Sequence, residues 1–99
     1  MIPEINNNLD KIIEACKLYN IKSLSVVGSA ARAIDFGIES DIDFLFKRKD
    51  ENTAFDVFDI TLGFQDILQK KVDMINEEGI KNKYFLESVL IDSVKLYEA

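Results

Sequence analysis

The chain has 99 residues, enough for one hydrophobic core, and its 47% hydrophobic content is that of an ordinary globular protein. A formal net charge of −6 argues against sequence-independent nucleic-acid binding, which draws its affinity from Lys and Arg on phosphates. One cysteine and no histidine exclude an intrachain disulfide and a zinc site built on those residues, so metal chemistry would need oxygen donors and points to magnesium or manganese.

No leader pattern and no apolar run near about 18 residues is present, so a cytoplasmic protein with no membrane contact is expected. A single domain over residues 1–99 is expected as well. In chain order, Leu9, Ile12, Ile13 and Cys16 recur at helical spacing, which predicts a first helix over Pro3 to Tyr19. Ser23 to Val27 alternates and stops at Gly28, the mark of a strand closing on a turn. Ser29 to Ala33 follows with small helix-forming residues, with Ser29 a candidate N-cap. Asp41 to Lys47 reads as a second strand, after a loop from Asp35 to Ser40. Thr53 to Lys70 reads as a long helix capped by Asn52 or Thr53, with Phe55, Phe58, Leu62 and Leu68 on one face. Its Phe58–Leu62 portion also alternates like a strand, and Gly63 would cost a helix about 1 kcal/mol against Ala. Lys71 to Ile75 predicts a third strand, Glu77 to Gly79 a turn, and Asn82 to Asp92 a last helix. Val94 to Tyr97 either adds an edge strand or extends that helix. The pattern predicts an α+β (α/β) fold, a small sheet with helices packed mainly on one face.

The second strand carries Asp41 and Asp43 in an otherwise apolar run. Strand side chains alternate, so the two carboxylates share one side while Ile42, Phe44 and Phe46 take the other. Their Cα atoms should lie about 6–7 Å apart, a spacing at which mutual repulsion disfavours joint ionisation and a cation reverses the penalty. Asp73, flanked by Val72, Met74 and Ile75, needs a partner inside its strand, either a metal or Lys70 or Lys71. Gly28 lets backbone approach a ligand, Ser29 adds a hydroxyl, and Arg32 could meet an anion or pair with Asp35 or Glu39. Phe44, Phe46, Phe55, Phe58 and Phe64 read as core rather than as a platform for bases, and Tyr84 and Tyr97 as packing residues.

The stretch Gly28-Ser29-Ala30-Ala31-Arg32 through Ser40-Asp41-Ile42-Asp43-Phe44-Leu45, with Val72-Asp73-Met74-Ile75 later, resembles the signature of the DNA polymerase β-like nucleotidyltransferase superfamily. Small size and the C-terminal Tyr84–Tyr97 stretch resemble its minimal nucleotidyltransferase (MNT) branch, and the likeness covers nearly the whole chain. Ala33 stands where the family usually has glycine, and the Ser29–Asp41 loop is about one residue longer than in many members.

The resemblance implies a mixed sheet of the polymerase β-like nucleotidyltransferase fold and a two-magnesium (or manganese) site on Asp41, Asp43 and Asp73. It implies phosphate binding by Gly28, Ser29 and Arg32, with ATP as the substrate. MNT proteins of this kind commonly pair with a HEPN-type ribonuclease toxin, and the antitoxin transfers AMP to a toxin tyrosine. The expectation is therefore a protein adenylyltransferase antitoxin with a HEPN partner, no direct nucleic-acid binding, and homo-oligomerisation left open. The competing classes are a catalytically silent MNT module that masks the toxin and an adenylyltransferase for a small hydroxylated compound.

Overall fold

A computed structural model of the chain describes residues 1–37, 40–49 and 54–99. The expected first helix is divided in two, α1 (Pro3–Asn7) and α2 (Leu9–Leu18). Asn8 parts them at φ −117°, its side-chain amide donating to the Glu4 carbonyl at 2.8 Å. An asparagine that bonds nearby backbone competes with the helix, and here it breaks the run. Pro3 sits in the first turn of α1, where its missing N–H costs nothing. Asn20, in the left-handed region at φ 58°, turns the chain from α2 into β1 (Ile21–Val27).

After α3 (Gly28–Arg32), β2 (Ile42–Arg48) pairs antiparallel with β1, setting Leu24 against Phe46 and Val26 against Phe44. A parallel neighbour needs a crossover, and α4 (Val57–Leu68) supplies it between β2 and β3 (Val72–Asn76). A 3₁₀ turn over Glu77–Gly79 and α5 (Lys83–Leu90) lead to β4 (Val94–Glu98). The C-terminal stretch is thus a strand, antiparallel to β1, and the sheet order is β3-β2-β1-β4.

Helix α4 starts where a capping box closes it. The Asp59 amide donates to the Asp56 carboxylate at 2.9 Å and the Asp56 amide donates to that of Asp59 at 3.1 Å. That reciprocal cap decides against a strand over Phe58–Leu62. The predicted caps Asn52 and Thr53 lie outside the described residues. The buried face also differs from the expected one: Ile60, Phe64 and Leu68 point inward, and Phe58 and Leu62 are exposed. Two apolar sets interleave at helical spacing, and the one continuing through Ile67 and Leu68 meets the sheet.

The core lies between this helical layer and one sheet face. Ile42, Phe44 and Phe46 are buried there, and the Phe44 and Phe64 ring centroids stand 5.4 Å apart. Each such side chain contributes about 1.5–3 kcal/mol by leaving water. Gly63 serves packing between the helices, because a Cβ there would stand 2.7 Å from Tyr19 Cζ. Tyr19 in turn meets Phe55 edge-on at 5.0 Å. The helix thus tolerates its glycine because the Tyr19 ring occupies the space.

Candidate active site

Register fixes the site. Ile42 pairs with Val72 and Phe44 with Met74 on the helix-covered face, so Asp43 and Asp73, also paired, share the opposite face. The same alternation places Val27, the β1 partner of Asp43, on that side. Asp41, the first residue of the expected strand, instead immediately precedes β2 and is exposed. The Ile42 amide donates to the Lys71 carbonyl at 2.9 Å, so the Asp41 end of β2 is tied to the start of β3.

Asp43 is half-buried, whereas Asp41 and Asp73 are exposed. Burial pushes the Asp43 carboxyl above the usual carboxylate range, and the negative charges of Asp73 and then Asp41 push it further. Asp43 thus feels both of the other carboxylates. No ion pair reaches Asp73 among the described residues; Lys70 instead lies 3.7 Å from Glu4 and 5.8 Å over the Phe36 ring.

Among the described residues, no group of three carboxylates is gathered as a ready-made metal cage. A hard, oxygen-only, open donor set still fits magnesium, which keeps several waters and binds through one or two carboxylates plus substrate phosphates. The raised Asp43 supports that fit, because a cation would relieve the repulsion it sustains.

Gly28 borders the carboxylates. Its φ of +65° lies in the left-handed region, and an added Cβ would stand 3.2 Å from Asp43 Oδ2. Both facts favour glycine at this turn. Ser29 does not cap α3: Val27 holds the cap position and no side chain closes it. Inside the turn, Ala30 and Ala31 are buried, and the Ile2 amide donates to the Ala30 carbonyl at 2.9 Å. The loop is thereby anchored from behind.

Arg32 turns to carboxylates of this chain. Its Nη2 and Nε donate to Asp35 at 2.9 and 3.3 Å, and Nη1 donates to Asp92 at 3.1 Å. The guanidinium hydrogen bond holds the Asp35 carboxyl below its ordinary range. Asp35 was one of the partners expected for Arg32, and Glu39, the other, lies outside the described residues. Asp92, sixty residues further on, carries no sequence signal as its partner. The close approach of Gly28 to Asp43 likewise follows only from strand register.

The model of the polymerase β nucleotidyltransferase family matches residues 10–99, spanning the glycine turn and all three aspartates. The chain belongs to the polymerase β nucleotidyltransferase family. Among the curated proteins, none matches it. Solved structures share the fold. One described as a minimal nucleotidyltransferase superposes with a TM-score of 0.77 at 23% identity, covering 91% of this chain and 90% of that one. A toxin–antitoxin structure with AMP-PNP gives 0.73 at 18% identity, covering 93% and 74%. A Shewanella oneidensis complex of a tri-AMPylated HEPN toxin with an MNT antitoxin gives 0.67 at 16% identity, covering 95% and 72%. Membership also gives meaning to Ala33. It sits at φ 62°, the left-handed conformation that glycine adopts without strain, and its amide donates to the Ser29 carbonyl at 2.8 Å.

Proposed function

We propose that this nucleotidyltransferase moves AMP from ATP to the hydroxyl of a tyrosine on a HEPN-type ribonuclease, and so acts as its antitoxin. The observation that carries the reading is the Asp43–Asp73 pair on the sheet face opposite the Phe44 core, beside Gly28. Asp41, Asp43 and Asp73 would hold two magnesium ions, or manganese in their place. Divalent ions at such a site stabilise both the attacking and the leaving oxygens of an in-line displacement at phosphorus. Gly28 and Ser29 would orient the β- and γ-phosphates through backbone and hydroxyl contacts, and Arg32 would reach them by exchanging a carboxylate partner for phosphate. The acceptor oxygen bonds to the α-phosphorus while the bond to pyrophosphate breaks, and the electron pair leaves with pyrophosphate. Asp73, the more exposed of the paired carboxylates, takes the acceptor proton.

Support for the acceptor comes from the neighbouring folds, one of which is a complex with an AMPylated HEPN toxin. The net charge of −6 suits a partner whose RNA-binding surface is positive. The test is incubation with α-labelled ATP, magnesium and the HEPN-type protein. Label on a toxin tyrosine, lost with Asp43→Asn, is the expected result. Neutralisation without label would support the masking module instead, and label on a small hydroxylated compound would support the remaining reading.

A further inference from the structure

Helix α5 crosses the sheet face that bears the carboxylates. Strands β3 and β4 stand at opposite edges of the sheet and run in the same direction. Crossovers between parallel strands are right-handed. Helix α4 crosses outward from β2 to β3 and packs on the Phe44 face, so α5, crossing back the other way, passes over the opposite face. Val27 and Leu45 of that face are buried, and Leu86 and Val89 of α5 are half-buried. The helix is nonetheless held lightly: α2 and α4 each bury three residues, and α5 buries none. An element with so little buried apolar surface opens at low cost.

Charge fastens its C-terminal end. Val94, at the start of β4, pairs with Val26, while Val27, the next residue of β1, pairs with Asp43 and precedes Gly28. The turn into β4 is closed by Ser93, whose amide and hydroxyl both donate to the Leu90 carbonyl, at 3.2 and 2.9 Å. Within that turn Asp92 accepts a hydrogen bond from Arg32 Nη1 at 3.1 Å. The end of α5 is therefore tied to the last residue of the glycine turn that borders Asp43.

The two holds on Arg32 are unequal. Asp35, three residues on in the same segment, takes both Nη2 and Nε, whereas Asp92 takes Nη1 alone and belongs to another element. The Arg32 and Asp92 side chains are 39% and 43% exposed, so water and salt screen their pairing. A phosphate offers the guanidinium stronger, charge-assisted bonds. We infer that a bound triphosphate takes Arg32 Nη1 from Asp92 while Asp35 keeps its hold, and that nucleotide binding thereby releases the C-terminal end of α5. This rests on the proposed phosphate contact of Arg32. The helix over the carboxylate face thus loosens once nucleotide is seated.

The test measures backbone hydrogen exchange over residues 90–93 with and without magnesium and a non-hydrolysable ATP analogue, together with the affinity of the chain for that analogue. Exchange there should quicken about two- to fivefold when the analogue binds, the span of an exposed ion pair. Asp92→Ala should exchange at the faster rate without nucleotide, gain nothing further from it, and bind the analogue about two- to fivefold more tightly. That tighter binding should vanish when Asp92→Ala is combined with Arg32→Gln. A gain that persists in the combined variant is plain charge repulsion and overturns the inference. So does exchange over residues 90–93 that stays unchanged or slows in the nucleotide-bound parent, with the transfer reading left standing. Analogue affinity unmoved by Arg32→Gln alone removes Arg32 from the phosphate site, and the inference falls with it. A parent chain that does not bind the analogue overturns both the inference and the transfer reading.

Discussion

Asp43 and Asp73 occupy paired positions on two adjacent parallel strands. Their backbones are therefore about 4.8 Å apart with side chains on the same face. Without a cation the pair works against folding. A carboxyl pushed up in the folded state opposes stability only where it is ionised, so its contribution is favourable at low pH and is lost as pH rises through the raised value.

Asp43→Asn should therefore raise the thermal midpoint of the metal-free protein at pH 7, within the roughly 0.5–2 kcal/mol typical of relieved charge. The gain should fade as pH falls through the raised value and be gone below about 3.9, where the unfolded-state aspartate is protonated too. The same variant should lose AMP transfer by on the order of 10²-fold or more. Melts across pH and a labelling assay measure both.

Cation binding must displace the proton that Asp43 retains longer than an ordinary aspartate. Magnesium affinity should weaken as pH drops through that raised range. Calorimetry in buffers of different ionisation enthalpy should show proton release within the raised range of Asp43 that vanishes well above it.

Two left-handed positions predict opposite signs. Gly28→Ala places a Cβ at φ +65° and crowds Asp43, and should cost about 1–2 kcal/mol along with activity. Ala33→Gly relieves strain at φ 62° and should gain up to about 1 kcal/mol, less the entropy glycine loses on folding. Urea unfolding compares the pair.

Gly63→Ala runs against helix propensity. Alanine favours a helix, but here its methyl collides with the Tyr19 ring. Overpacking of about 1–3 kcal/mol should outweigh the gain of roughly 1 kcal/mol from propensity. The midpoint should fall, and Tyr19→Ala should restore the expected preference for alanine at 63.

Cys16 is fully buried in α2, and burial pushes its thiol up to about 12. A disulfide reagent at pH 8 should leave it untouched in the folded chain and titrate it on unfolding.

Much of this was legible in the sequence. Alternation around Asp41–Phe46 and Val72–Ile75 places both strands within one residue, and the shared side of Asp43 and Asp73 follows from period two once the strands pair in register. The division at Asn8 was less legible, because Leu9, Ile12 and Cys16 keep helical spacing while a side-chain bond interrupts the backbone. Phe58 and Leu62 misled for a related reason: spacing defines a face but does not say which of two faces meets the sheet. The Arg32–Asp92 pair spans sixty positions, and only tertiary structure brings it together.

Binding of manganese with a non-hydrolysable ATP analogue, followed by paramagnetic broadening of amide signals, tests the central claim most directly. Broadening should be strongest at Gly28, Ser29, Asp41, Asp43 and Asp73, and should disappear in Asp43→Asn. Broadening centred on another surface, or none at all, would contradict it.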